Sequence, residues 1–555
     1  MDTHTCVIIR LHMRHSIAGS KRRGLSIDER NLCTFKCCCE GLNCTSSWLT
    51  PDYPCFPIQY IAVAPAFPDH STMRFISCTY RKCAPRAAQI FLICATWFCS
   101  VGRSTSVTNE APRLAFYFGT KTRYEEVNPF LLTNPLLVTR KQDLLPNTCT
   151  PLQVVSVIRH GTRYPTKKQI MKLKKMYSLI QKSESKSELV KELQSWDMWY
   201  EDWMDGQLVK KGEEDMKNLA YRLASLFPAL FTVDKFLKYK MSFITSSKHR
   251  CVDSTKAFIR GLAHSYFRLP QPTEDEKTDI TCREPVVNDT LMRFFDHCER
   301  FVVQVEDNDT AMYELDKFKE GPEMRRVLQK ISTLLDIPVH ELNADLIQVA
   351  FFTCSFELAI NNVINSSWCS LFDEEDAKVL EYLNDLKQYW KRGYGFDINR
   401  RSSCSLFQHL FHLLDTTVSE SKRSQQISVP VAMHFGHAET LLPLLALMGL
   451  FKDEKPLTAD NFATKYGHQF RSGRIVPYAS NLLFVLYHCD LAESPEEEYQ
   501  VQMLLNENLL PFPHSQQSVC LFDDLKKQYS HLLDSCHVIE ECELTKAAHT
   551  SEDEL

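Results

Sequence analysis

Three short β-branched runs, each giving way within a few residues to a helical pattern, constrain this chain most: Val154 to Ile158, Ser242 to Thr245 and Val429 to His434. Strand followed by helix, recurring along one chain, predicts an α/β sheet domain. Between the second and third runs the pattern is largely helical. From Asp376 to Trp390, the residues Val379, Leu380, Leu383, Leu386 and Trp390 form an apolar stripe at the helix period. That block reads as an inserted, mainly helical cap domain, which makes the sheet domain discontinuous. The expected division is residues 1–110 as an N-terminal extension, 111–270 as the first part of the sheet domain, 271–427 as the cap, 428–545 as the second part and 546–555 as a tail. At 555 residues and 44% hydrophobic, the chain can bury a large core in more than one domain.

Chemistry concentrates where these strands end. The first runs into Arg159, His160, Gly161, Thr162, Arg163, Tyr164 and Pro165, with Thr166 as an expected helix N-cap. Gly161 is expected to let the backbone approach a ligand closely. The second runs into Ser246, Ser247, Lys248, His249 and Arg250, with Arg250 in or near the first turn of the next helix. The third runs into Gly436, His437, Ala438 and Glu439, ahead of a leucine-rich helix. Open α/β sheets place their ligands at the carboxyl ends of strands. Singly, a histidine or arginine in a loop is most often structural; recurrence at three junctions is what points to a site.

Arg159, Arg163 and Arg250 match a phosphoryl group, which planar guanidiniums hold through paired, charge-assisted bonds. His160 is the expected nucleophile, attacking phosphorus through a neutral ring nitrogen. His437 is expected to bond an equatorial oxygen. Glu439 is expected to protonate the leaving alcohol and then activate water. The first of these roles needs a protonated carboxyl. Nearby arginines and a helix N-terminus lower its pKa while burial raises it, and the sequence leaves that balance open. An acidic or near-neutral optimum is expected.

Both ends of the chain point to the secretory pathway. The last four residues, Glu552, Asp553, Glu554 and Leu555, match a lumenal retention signal, so a retention receptor is an expected partner. A merely solvated acidic tail is the alternative. The stretch from Arg86 to Ser100 has the apolar length of a signal-peptide core, with Arg81, Lys82 and Arg86 ahead of it. An N-terminal anchor is the rival reading, although the run is short for a membrane span. The expected location is the endoplasmic reticulum lumen, with secretion of a fraction left open. Half of the 22 cysteines precede residue 105, and the eleven that follow are odd in number, so at least one is unpaired within the chain. Pairing is not readable, though Cys536 and Cys542 are close enough in sequence to close a local loop. Asn288, Asn308 and Asn365 begin glycosylation sequons. With a net charge of -5 and no basic arm, nothing points to nucleic acid.

The string from Arg159 to Pro165, RHGTRYP, resembles the signature of the acid-phosphatase and phytase branch of the histidine phosphatases. Arg250 within SSKHRCVDST and His437 to Thr440 within GHAET match that family's later motifs. His-Ala-Glu, where many relatives have His-Asp, resembles the multiple inositol polyphosphate phosphatase subgroup. So do YFGTKTRYEEVNP, WYEDWMDGQL, LMRFFDHCE, LNADLIQVAFFTCSFELAI and VLEYLNDLKQYWKRGYG. The resemblance covers roughly residues 116–555. It implies a histidine-phosphatase-like (phosphoglycerate-mutase-like) sheet domain flanked by helices. It also implies hydrolysis of inositol hexakisphosphate and lower inositol polyphosphates, activity on 2,3-bisphosphoglycerate at the 3-phosphate, and no metal or other cofactor. Such polyanions need extra positive charge, for which Lys167, Lys168, Lys248 and His249, and in the cap Lys391 and Arg392, are the candidates. A broad-specificity lumenal acid phosphatase, a mutase and a non-catalytic polyanion-binding protein are the alternatives.

Overall fold

The computed structural model describes residues 113–139, 145, 148–266, 283–464, 467–490 and 498–544. The signal-like stretch, the retention tail and Cys282 lie outside them. In chain order the elements that build the site are β1 (Cys149–Arg159), α1 (Lys167–Lys182), α2 (Lys210–Leu226), β2 (Met241–Thr245), α3 (His249–Tyr266), β3 (Val286–Val287), α4 (Ala344–Asn361), α5 (Glu374–Arg392), α6 (Cys404–Lys422), β4 (Val431–Gly436), α7 (Ala438–Leu447), β5 (Asn481–Cys489) and β6 (Tyr499–Leu505). Two further short strands, β7 (Asn508–Leu509) and β8 (Val519–Leu521), pair with β6.

The sheet runs β3-β2-β4-β1-β5-β6-β7. Strands β3, β2, β4 and β1 are parallel, and β5 and β6 complete the sheet antiparallel. β1 is central because it is apolar on both faces. Val155 and Val157 enter one core with α1, α4, α5, α6 and α7, while Val154 and Ile158 enter a second with α2 and α3. Burial on both faces is what a parallel strand flanked by helices requires. The helices between β3 and β4 therefore share one continuous core with a face of the sheet. β4 begins two residues later than its β-branched pattern predicts, at Val431, and continues through Gly436. Gly436, expected at the start of the loop, is therefore a strand residue, and His437 follows the strand directly.

Among the described residues, α4 is the one helix long and apolar enough to cross a membrane, and it is mostly buried in the first core. The described cysteines form Cys149–Cys489, Cys298–Cys542, Cys354–Cys369 and Cys404–Cys536. The local Cys536–Cys542 loop does not form: each of the two pairs with a cysteine distant in sequence instead. Cys536 joins α6 and Cys542 joins the segment after β3, because tertiary packing, not sequence separation, brings their Cα atoms within bonding range. Cys251 and Cys520 are free and buried.

Candidate active site

Strand register brings the three junctions to one level. Arg159 stands opposite Gly436, and Phe435 opposite Thr245. The backbone continues this alignment past the strands: His160 N–H donates to Gly436 O at 3.0 Å and Ser246 N–H to Phe435 O at 3.1 Å. The three loops therefore leave the sheet side by side, at its carboxyl edge.

Gly161 serves a different end from the one expected. A Cβ there would meet the carbonyl of Gly212 at the start of α2, and a Cβ on Gly212 would meet the carbonyl of Thr162. The paired glycines let α2 close on the loop rather than a ligand. Thr162 seals that contact, giving Asp215 of α2 its N–H (3.2 Å) and its hydroxyl (2.7 Å). Gly212→Ala is expected to destabilise the protein by about 3 kcal/mol through overpacking, read from the urea unfolding midpoint. An unchanged midpoint contradicts that packing role.

His160 is buried, and its Nδ1 lies 2.8 Å from Gly161 O. A carbonyl only accepts, so the proton sits on Nδ1 and the lone pair on Nε2. Burial drives its pKa well below the ordinary histidine value, and Arg250, Arg159, His437 and Arg163 push the same way. The ring stays neutral. Its centroid lies 5.6 Å from that of His437 and 6.1 Å from Tyr478.

The three predicted arginines surround this imidazole. Arg159 is buried, donates to Val476 O at 2.5 Å and Thr120 O at 2.9 Å, and lies 4.6 Å above the Tyr478 ring. Its pKa is pushed down to about 10, chiefly by burial. Arg163 gives one amino group to Tyr164 O at 2.6 Å. Arg250, in the first turn of α3, donates to His437 Nδ1 at 3.3 Å. The Nε atoms of Arg159 and Arg250 are buried donors without a partner. Among the described residues, no carboxylate forms an ion pair with any of the three. Guanidiniums that repel one another and keep buried donors open fit an anion held between them.

His437 and Glu439 open α7. Arg250 can only donate, so Nδ1 of His437 accepts, and the neutral ring gives its Nε2–H to Ser246 Oγ at 2.9 Å. Both ring nitrogens are engaged before any ligand arrives. Cys251 packs on the same ring, 3.6 Å from Nε2, while its thiol donates to Gly436 O at 3.2 Å. Burial raises the Cys251 pKa to about 11, so it remains a thiol. Glu439 is half-buried at the second position of α7. Burial raises its carboxyl, but His437, Arg392, its backbone N–H and Arg159 outweigh this and hold it well below the usual carboxylate range. The balance left open by the sequence is settled toward ionisation in the free protein.

Sequence reasoning missed three groups here: Ser246 and Cys251, which hold His437, and Lys121. Lys121 lies in the short Gly119–Lys121 turn, whose Thr120 carbonyl also holds Arg159. It is buried, 5.2 Å over the Phe352 ring of α4, and among the described residues bonds only Thr120 Oγ1, at 2.8 Å. Burial lowers its pKa well below the lysine value, and Arg163 and Arg159 lower it further. Nothing local in YFGTKTRYEEVNP marks it as different from a surface lysine. The remaining expected cations spread around the site. Lys167, Lys168, Lys248 and His249 are exposed, and the Lys167 ammonium lies 3.6 Å from Asp202. Lys391 and Arg392 bond Glu306 at 2.8 and 3.1 Å, and the Arg392 charge reaches Glu439.

Comparison with known proteins places this geometry. Residues 152–506 match the profile of the histidine phosphatase superfamily (branch 2). The chain is 56% identical to multiple inositol polyphosphate phosphatase 1 of Homo sapiens, over 80% of this chain and 92% of that one. It is 55% identical to the Gallus gallus protein of that name, over 80% and 96%. In fold it is similar to a phytase from D. castellii, with a TM-score of 0.60 at 16% identity, covering 78% of this chain and 88% of that one. It is also similar to the Bifidobacterium longum multiple inositol polyphosphate phosphatase in complex with inositol hexasulfate, with a TM-score of 0.57 at 14% identity over 75% and 97%. A buried neutral imidazole ringed by unpaired guanidiniums, and these similarities over nearly the whole length of the vertebrate relatives, lead to one assignment: the chain belongs to the multiple inositol polyphosphate phosphatases, hydrolases of the histidine phosphatase superfamily, branch 2.

Proposed function

We propose that the protein removes phosphates from inositol hexakisphosphate and lower inositol polyphosphates by way of a phosphohistidine on His160. The observation that carries this is the fixed tautomer of His160: with Nδ1–H committed to Gly161 O, the Nε2 lone pair is open toward an anion. Nε2 attacks phosphorus, the ester P–O bond breaks, and Glu439 delivers a proton to the departing alkoxide. Water then attacks the phosphohistidine, Glu439 takes its proton, the P–N bond breaks, and neutral His160 returns with inorganic phosphate. Arg163, Arg250 and the open Nε of Arg159 hold the transferring phosphoryl oxygens, with charge stabilisation that needs no reorganisation. Lys121 is well set to add a donor.

Glu439 is ionised in the free site, so its proton arrives with the substrate. A bound phosphate monoanion brings one and neutralises the arginines that depress the carboxyl. The monoanion fraction falls as pH rises through the second phosphate pKa, about 6. At the acid end His160 loses its lone pair only below its own lowered pKa, well under 6.5. The kcat/KM is therefore expected to fall above about pH 6 and to hold at pH 5. A profile rising from pH 5 to 8 contradicts this proton inventory.

Lys167, Lys168, Lys248, His249, Lys391 and Arg392 are proposed as outer contacts for the remaining phosphates, and 2,3-bisphosphoglycerate as a second substrate. Four disulfides support an oxidising lumen as the working compartment. Of the three sequons, Asn365 is exposed in a turn, whereas Asn288 caps a short helix and Asn308 donates to Gln304 O at 3.1 Å. Timed product analysis with inositol hexakisphosphate tests the substrate reading, with an aryl phosphate as comparator and His160→Ala as control. Successive lower inositol phosphates are expected. Turnover of the aryl phosphate alone points to a broad-specificity acid phosphatase.

A further inference from the structure

Beside the segments that hold Arg159 lies a cavity lined by none of the residues assigned to the reaction. Its volume of about 490 Å³ is that of a small-molecule site. The wall is apolar where Phe116, Val127, Pro129, Phe451, Leu505 and Leu510 meet. Phe116 is an exposed aromatic side chain. Phe451 holds a left-handed backbone (φ 56°), which a bulky residue adopts only under constraint. A second cavity of about 390 Å³ shares Phe451, Leu505 and Arg474 with the first.

Two polar groups of this wall are uncommitted. The Thr122 hydroxyl is buried and, among the described residues, has no hydrogen-bond partner. It stands 2.9 Å from where a Cβ on Gly473 would be, and both residues line the cavity. Arg474 is exposed where the two cavities meet and, among the described residues, forms no ion pair. The other charged groups are engaged: Arg471 bonds Glu381 at 3.2 and 2.6 Å, and Arg123 holds Glu126. One open cation and one open hydroxyl in an apolar wall fit an apolar body with a single anionic head. One cation is too few for a polyphosphate, so this is not a second place for the substrate.

The cavity wall and the clamp on Arg159 are the same two pieces of chain. Arg159 donates to Val476 O at 2.5 Å, two residues beyond Arg474, and to Thr120 O at 2.9 Å, two residues before Thr122. Tyr478 ties the pieces together: its N–H donates to Thr122 O at 2.9 Å and its ring lies under the Arg159 guanidinium. Asn506, also in the wall, donates to Arg474 O at 3.2 Å. A ligand touching both pieces braces them in the arrangement that presents Arg159 to phosphate.

We propose that this cavity binds a small amphipathic anion, an apolar body whose one carboxylate meets Arg474 and Thr122, and that its occupancy tightens anion binding at the active site. The coupling rests on the reading of Arg159 as a phosphate ligand; the binding site does not.

Two dyes of one shape test it by fluorescence. Anilinonaphthalene sulfonate carries an anionic head in place of the carboxylate, and phenylnaphthylamine carries none. Both are expected to bind the wild type. Arg474→Met keeps an apolar stem and removes the charge. It should raise the dissociation constant of the sulfonate about tenfold, as loss of one charge-assisted bond implies, and leave that of the neutral dye unchanged. Leu510→Trp fills the cavity and should abolish binding of both, with the urea unfolding midpoint showing that the variant is folded. Saturating inositol hexasulfate should tighten the sulfonate dye severalfold, and by reciprocity the dye should lower the inhibition constant of inositol hexasulfate on aryl phosphate turnover by the same factor. No binding to the wild type, or binding unmoved in folded Leu510→Trp, overturns the site. Equal weakening of both dyes in Arg474→Met overturns the role of Arg474. Displacement of the dye by inositol hexasulfate places it among the active-site arginines and overturns the assignment. A dissociation constant unmoved by inositol hexasulfate overturns the coupling alone.

Discussion

His160→Ala is expected to end turnover of every phosphate ester, a fall on the order of 10⁴-fold to 10⁶-fold, as for other nucleophiles acting in a unit. The size follows from what the imidazole alone supplies. Among the described residues no other neutral nucleophile is open to the arginines: His437 has both nitrogens engaged, and Cys251 is held as a buried thiol. The arginines remain in the variant, so it should still bind inositol hexasulfate. A protein that neither binds nor turns over has lost its fold instead, and the unfolding midpoint separates the two cases. Retained turnover above a hundredth of wild type would remove His160 from the reaction.

Glu439→Gln should have the second largest effect, and its size should depend on the leaving group. A general acid contributes roughly 10²-fold to 10⁴-fold. That loss is expected in full on inositol hexakisphosphate, whose alkoxide leaves poorly. It should be far smaller in the first step with an aryl phosphate, whose phenolate needs little help. Gln keeps the shape at the start of α7 and removes the carboxylate charge on which Arg159, His437 and Arg392 act. Binding of inositol hexasulfate should therefore tighten as kcat falls. Equal losses on both substrates would contradict the acid role.

Much of this site was legible in the sequence because its chemistry is local. Arg159 to Pro165 is a continuous string, and each of the three junctions carries a strand pattern followed by a helix pattern that survives in the fold. Thr166 caps α1 as its position predicts, in a capping box with Gln169. What was not legible depends on contacts distant in sequence. Gly161 was assigned to a ligand when its neighbour is Gly212, 51 residues on. Lys121 was invisible because burial under α4 and proximity to Arg159 separate it from other lysines, and both arise only on folding. β4 runs two residues past its expected end at His434, and His434, polar by type, is buried. It bonds Ser156 O at 2.8 Å and His409 at 3.0 Å, and its pKa is pushed down to about 3. Cysteine pairing failed for the same reason, with Cys404–Cys536 spanning 132 residues.

Rapid-quench turnover with phosphate-labelled inositol hexakisphosphate, followed by peptide mapping of the protein, bears most directly on the covalent step. Label that is lost in acid, stable in alkali and confined to the peptide containing His160 is the expected result, with none in His160→Ala. Full turnover with no label on His160 at any quench time, or label on another residue, would mean that phosphate never passes through this imidazole.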